Sequence, residues 1–365
     1  MKTVCKKDMC AGCMACVEIC PKNAVSVEDT IGEYNAVIDT EKCVNCGLCH
    51  KTCQENNPPK LIKPIYWKEG WADDEKLRAE SSSGGFASAI SLAFVKNGGI
   101  VCSCCFNENG FGFSFAENET DVKRFTGSKY VKSKPYGIYK RIRSYINDGK
   151  KLLFIGLPCQ AAAVKNYIGN SDKLYTVDLI CHGSPSPKIL ESFLSENQIA
   201  ADEKLSFRNK EDFHLEYGGK RLTVSTVRDM FTRSFLEGSC YTQNCYNCKY
   251  AGLERVSDLT LGDSWGSQLS REEQKKGISL ALCQSEKGKQ LLKEAKLNLY
   301  DVDLERAVEF NRQLNHPSEL HPKRALFISG MKSGKGFKKS YKKCFPKRYM
   351  KHRVYTVLYK LGIKR

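Results

Sequence analysis

Eight cysteines near the amino end carry the strongest chemical signal in this 365-residue sequence. Cys10, Cys13, Cys16 and Cys20 recur, each 33 residues on, as Cys43, Cys46, Cys49 and Cys53. Two-residue gaps let three successive thiolates wrap the corners of one iron–sulfur cubane, while the fourth cysteine of each run reaches across to the other cluster. The expected ligand sets are therefore Cys10, Cys13, Cys16 and Cys53 for one 4Fe-4S cluster and Cys43, Cys46, Cys49 and Cys20 for a second. Zinc is the competing chemistry, because paired CxxC thiolates also suit a tetrahedral ion, but eight cysteines in a doubled run argue against it. Cys5 lies outside the pattern and reads as a spare thiol. Pro21 follows Cys20 whereas Gln54 follows Cys53, a departure that leaves both sets intact.

A second grouping, Cys240-x4-Cys245-x2-Cys248, is close to the plant-type spacing that precedes a distant last cysteine. Cys159 and Cys181 each end a predicted strand. Cys159, in the turn Leu157-Pro158-Cys159-Gln160, is the preferred fourth ligand of a third 4Fe-4S cluster, and Cys181 is the alternative. A structural zinc or unliganded thiols stay open at these positions. Cys102, Cys104 and Cys105 are too crowded to surround one cubane, and with Cys283 and Cys344 they read as buried or incidental thiols. Other residues suit a flavin or nucleotide. Ser83-Gly84-Gly85 before a helix would present backbone N–H groups to a pyrophosphate, although a glycine turn with an N-cap serine explains it equally. Arg124, Ser128, Lys129 and Tyr130 offer cations and hydroxyls to phosphate, or form a solvated basic loop. Asp263 and Trp265 in Gly262-Asp263-Ser264-Trp265-Gly266 suit a cofactor wall, or an ordinary turn with a buried tryptophan.

These groups need scaffolds. Between the quartets, Ala24-Val25-Ser26-Val27 and Ala36-Val37-Ile38-Asp39 read as two strands across a turn near Gly32, the layout of a duplicated bacterial ferredoxin. Asn57-Pro58-Pro59 stops regular structure, and the stretch to Glu80 reads as a linker with two tryptophans. From Ser81 strands and helices alternate. Ala87 to Val95 is a helix ended by Asn97-Gly98-Gly99, and Ile100–Cys102, Lys151–Ile155 and Leu174–Ile180 are buried strands that break at glycine turns. The expected organisation is an α+β ferredoxin-like domain (1–58), a linker (59–80), an α/β flavin-binding body with a mostly parallel or mixed sheet in two parts (81–165 and 166–320), and a basic helical tail (321–365).

Composition narrows the setting. Cluster-spaced cysteines point to a reducing, cytoplasmic compartment, and no run of apolar residues is long enough to span a bilayer. The formal charge is +17, yet residues 321–365 hold 15 Lys or Arg and no Asp or Glu, leaving +2 on the first 320 residues. Apolar residues at 350, 354, 357, 358 and 361 follow helical spacing, so Tyr349 to Ile363 predicts a basic amphipathic helix suited to an anionic membrane or an acidic partner. A solvated tail is the competing reading. No recognised nucleic-acid fold accompanies the charge, so nucleic acid is not an expected partner.

Taken in order, Ser83-Gly84-Gly85, Gly127-Ser128-Lys129-Tyr130, Gly156-Leu157-Pro158-Cys159-Gln160, Cys181-His182-Gly183, Cys240 to Cys248 and Gly262 to Gly266 resemble the family of coenzyme F-420 hydrogenase/dehydrogenase beta subunits. The resemblance covers about residues 80 to 320, with the fused two-cluster ferredoxin in front. It implies FAD beside an iron–sulfur cluster, electrons arriving singly from a donor such as ferredoxin or a redox partner subunit, and hydride exchange with an organic acceptor or a deazaflavin carrier. Some bacterial relatives are associated with surface-polysaccharide synthesis. On this reading the chain is a flavin-dependent iron–sulfur oxidoreductase; the alternative is a non-catalytic subunit that delivers electrons to a separate catalytic partner. His182, the only histidine in a motif turn, is the candidate proton donor, with capping of the next segment as its competing role.

Overall fold

The structure is a computed structural model and describes residues 2–107, 110–200, 205–210, 212–224 and 227–363. Strands β1 (Lys2–Thr3), β2 (Val25–Asp29) and β3 (Tyr34–Ile38) form a small sheet in the order β1-β3-β2. The cysteine duplication is matched in the backbone. Short helices Ala15–Ile19 and Leu48–Thr52 each follow a left-handed residue, Met14 (φ 63°) and Gly47 (φ 74°), at the same 33-residue offset.

The body contains β4 (Tyr66–Ala72), β5 (Ile100–Asn107), β6 (Gly110–Ala116), β7 (Leu152–Gly156) and β8 (Leu174–Leu179). A separate small antiparallel sheet follows, made of β9 (Leu205–Arg208), β10 (Phe213–Tyr217) and β11 (Lys220–Arg221). Finally β12 (Leu259–Asp263), β13 (Ser279–Cys283) and β14 (Leu297–Tyr300) complete an eight-stranded mixed sheet in the order β14-β4-β13-β12-β8-β7-β5-β6. Its centre is parallel: β5, β7, β8 and β12 align with Ile100 beside Leu152, Leu152 beside Leu174 and Leu259 beside Val177. Antiparallel strands flank that centre on both sides.

The central strands are apolar on both faces because helices cover both. Along β7, Leu153 and Ile155 face helices Phe86–Lys96 and Glu286–Glu294, whereas Leu152 and Phe154 face helices Ile138–Asn147 and Pro158–Ile168. That is the two-residue alternation of a strand.

Two expected boundaries are corrected. The stretch 59–80 is not a linker, since β4 pairs with both β13 and β14 inside the large sheet. Its charges concealed it: Lys68 pairs with Asp301, and buried Glu69 accepts a hydrogen bond from Ser264 Oγ at 2.5 Å. The body likewise does not end at 320. Helices Arg324–Lys332 and Gly336–Cys344 bury Phe327, Phe337, Tyr341 and Cys344, and their lysines point outward. Only helix Pro346–Lys360 turns apolar residues to solvent.

The amino-terminal module is clamped to the body. The Glu18 carboxylate accepts from the backbone N–H groups of Gly137, Tyr139 and Lys140 at 2.6, 3.1 and 3.3 Å. It thus caps helix Ile138–Asn147, whose first amides have no partner of their own. The β2–β3 turn inserts its Gly32 carbonyl between Arg324 Nη2 (2.7 Å) and the Gln243 amide (2.9 Å).

Candidate functional site

The two quartets open into two cavities. One is lined by Cys10, Cys13, Cys16 and Cys53, together with Cys5. The other is lined by Cys43, Cys46, Cys49 and Cys20. Each cavity therefore gathers three cysteines of one run and the fourth of the other. The loops turn through left-handed residues at matching places, Gly12 (φ 73°) and Asn45 (φ 55°). This geometry aims backbone amides at sulfur: Gly12 N–H at Cys10 Sγ and Asn45 N–H at Cys43 Sγ, both at 3.4 Å. The first cavity is interior, with all its cysteines buried; the second lies at the surface, where Cys46, Val44 and Leu48 are exposed.

The donor chemistry of the inner cavity fits an iron cluster. Burial pushes the Cys13 thiol up to about 12 and Cys16 well above the usual range, so as free thiols both would stay neutral. Metal is what makes a buried thiolate stable, by displacing its proton. Cys5, set aside on spacing, hydrogen-bonds the sulfurs of Cys10 and Cys53. That contact is the first cause of the lowered pKa of Cys10 and of Cys53, the latter to about 7.

A third thiol set lies at the carboxyl ends of the parallel strands, where sheets of this kind collect ligands. Cys159 follows β7 at the start of helix Pro158–Ile168, and Cys181 follows the neighbouring β8. The charges of Cys248 and Cys245 act on both, and Cys159 and Cys181 act on each other. Cys240 is different. It is fully buried among aromatics, with Arg324 and Cys245 as the charged groups around it. The structure therefore assembles Cys159, Cys181, Cys245 and Cys248, with Cys240 set behind Cys245. The expected choice between Cys159 and Cys181 dissolves, because adjacent parallel strands end side by side. Tyr250 connects this set to the inner cavity: its hydroxyl donates to the Gln54 carbonyl at 3.1 Å, and Cys159, Cys13 and Cys248 all lie within electrostatic reach of its phenol.

Residue 182 adjoins this set and begins a pocket. The His182 ring has Asp263 and Arg312 as charged neighbours, and loss of hydration on its enclosed side lowers its pKa below the ordinary imidazole value. Asp263, at the end of β12, accepts from Arg208 Nη1 at 2.7 Å. Arg208 also contacts Tyr130 and stacks over Phe213, whose ring centre lies 6.2 Å from those of both Tyr130 and Trp265. Arg208 Nε is buried without a hydrogen-bond partner, a donor suited to a polar cofactor group.

The remaining candidates divide. Lys210 Nζ reaches the Ser83 carbonyl, which brings the Ser83 turn to this wall. Gly84 is required by packing, since a Cβ there would collide with the Gly70 carbonyl oxygen. Gly85, at φ 91°, starts helix Phe86–Lys96. Ser128 contacts Tyr130. Lys129 instead turns its ammonium to the carbonyls of Phe125 (2.6 Å) and Thr126 (3.2 Å) in its own loop. Arg208, Lys210 and Phe213 went unread in the sequence; the available signal was a pair of cations bracketing the end of a short strand.

Known proteins resemble this chain in both of its parts. Residues 9–57 match a 4Fe-4S dicluster domain, and residues 149–303 match the C terminus of the coenzyme F420 hydrogenase/dehydrogenase beta subunit. One subunit of the F(420)H(2) dehydrogenase of Methanosarcina mazei is 23% identical over 288 residues, 74% of this chain and 81% of the relative. An uncharacterized protein of Methanocaldococcus jannaschii is 24% identical over 82% of this chain and 91% of its own. A chain of the F420-reducing [NiFe] hydrogenase complex from Methanosarcina barkeri superposes with a TM-score of 0.48 at 18% identity, covering 69% of this chain and 91% of that one. The duplicated cysteine cavities and the matched body together make this an iron–sulfur electron-transfer protein that belongs to the family of coenzyme F420 hydrogenase/dehydrogenase beta subunits.

Proposed function

We propose that the chain relays electrons from a one-electron donor at its surface to a flavin in the Tyr130–Arg208–Asp263 pocket, for hydride exchange with an organic substrate or a deazaflavin-type carrier. The observation that carries this reading is the order of the thiol sets: exposed, buried, then the body set whose Cys181 adjoins His182 at the pocket. Clusters held by Cys43/Cys46/Cys49/Cys20, by Cys10/Cys13/Cys16/Cys53 and by Cys159/Cys181/Cys245/Cys248 would supply one-electron transfer, and FAD would supply the pairing of electrons.

The chain's own residues do the rest. Val44 and Leu48 give a donor an apolar face beside Cys46. Tyr250 and buried Tyr139, whose hydroxyl bonds the Cys13 carbonyl, fill the space between the inner cavity and the body set and exclude water. Arg208 and Lys210 offer positive charge to an anionic cofactor, and the neutral His182 imidazole is placed to carry a proton at the rim. Helix Pro346–Lys360 suits peripheral contact with an anionic membrane.

Anaerobically purified protein should hold about twelve irons and one FAD per chain, and the flavin absorbance should bleach on mixing with a hydride donor. Colourless, zinc-loaded protein would overturn the reading. A second reading, electron delivery to a separate catalytic subunit, is favoured by a relative named as a dehydrogenase subunit. It predicts the irons without flavin.

A further inference from the structure

Lys132 is buried, at 5% exposure, and its surroundings do not neutralise it. Its ammonium donates to the Ala11 carbonyl at 3.1 Å and lies 5.1 Å from the centre of the Tyr34 ring. Its backbone N–H donates to the Pro185 carbonyl at 2.9 Å, fixing the stem in the body, while the tip reaches into the Cys10–Cys13 loop. The fit is close, since a Cβ on Gly12 would lie 3.3 Å from Lys132 Cδ. A carbonyl and an aromatic face solvate a cation but carry no counter-charge, and a buried cation without one is expensive. The anionic groups within its reach are thiolates of two different sets: Cys10 of the inner cavity, and Cys159 and Cys181 of the body.

We infer that Lys132 is a positioning residue for electron transfer, a single buried cation shared by the inner cluster and the body cluster that stabilises the extra electron on either one. This rests on the three-cluster reading above. Each cluster gains one negative charge on reduction and no bond is made or broken, so a fixed cation between them raises the tendency of both to be reduced. The surface cluster of Cys43, Cys46, Cys49 and Cys20 is not a neighbour of this ammonium and gains nothing from it. The consequence is a downhill step inward from the donor face.

The test is an EPR-monitored redox titration of intact, anaerobically prepared Lys132→Met beside wild type, with iron counted in each. At a fixed potential the reduced-to-oxidised ratio of the inner and body clusters should each fall about tenfold, equal to about 59 mV for a one-electron couple, while the surface cluster stays in place. Lys132→Arg, which keeps the charge, should titrate like wild type. Unmoved inner and body clusters in Lys132→Met, or an equal shift of all three, overturns the inference. Should Lys132→Met lose iron, Lys132→Arg decides: full iron and wild-type titration support the shared charge, whereas loss of iron or a tenfold fall there overturns it. Wild-type protein with only about eight irons instead sinks the three-cluster reading itself, a result distinct from full iron with unmoved potentials.

Discussion

At the scale of single residues, hydrogen-bond donors and cations placed against sulfur and phosphate decide how the site is tuned. Cys5 donates to two sulfurs of the inner set, and such bonds stabilise the more negative state of a cluster. Cys5→Ala should keep full iron and lower the inner midpoint by about 40 mV, the one-electron equivalent of ~1 kcal/mol for a hydrogen bond; loss of one cluster instead would make Cys5 a ligand. Lys210 sits at the opposite wall. Burial first, then the charges of Arg78 and Arg208, pull its pKa from 10.5 down to about 8. It is a cation below that value and neutral above it. Affinity for a pyrophosphate-bearing nucleotide should therefore weaken as pH rises through about 8, and Lys210→Met should bind weakly with that pH step gone, as followed by flavin fluorescence. Between about 8 and 10.5 the unfolded chain holds the proton that the folded chain has released, so this residue favours folding more as pH climbs that window.

At the scale of elements, helix Pro346–Lys360 and the residue capping it stand apart from the rest of the chain. Met350, Val354, Val357 and Leu361 recur at helical spacing and are 57, 53, 49 and 66% exposed. Exposed Lys347, Lys351 and Arg353 stand beside that stripe. An apolar stripe flanked by cations is the pattern that lies in an anionic interface and is weakened by salt. The protein should float with vesicles containing phosphatidylglycerol, and not with phosphatidylcholine alone. Val354→Glu with Val357→Glu should abolish flotation at unchanged iron content. Flotation unaffected by the pair would remove the helix from membrane contact. The two preceding helices make the contrast: equally lysine-rich, they pack aromatics inward and belong to the core.

At the scale of the whole molecule, the amino-terminal module depends on its metal in a way the body does not. The module's own core is small, with Val4, Val25, Tyr34, Ala36 and Ile38 the larger part of what accompanies its cysteines. A core of that size needs a metal to hold it. The eight-stranded sheet has two full apolar faces and a buried Arg255–Asp178 pair at 2.6 Å. Removing iron with a chelator under reducing conditions should expose residues 2–57 to protease while the body persists, read by mass spectrometry of the fragments; simultaneous loss of both would contradict the division. The sequence alone determined the duplicated module, its crossed cysteine sets, the buried strands at residues 100, 152 and 174, and the turns bearing Cys159, Cys181 and Asp263, because each is a local pattern of spacing or periodicity. Only the tertiary structure decided that Cys181 joins Cys159 while Cys240 stands behind, that Arg208 and Lys210 come to Asp263 and Ser83, that residues 66–72 are a strand, and that Lys132 reaches two thiol sets. Those facts depend on which strands lie side by side and which helices dock on them, and contacts across more than a hundred residues leave no repeat for spacing to reveal.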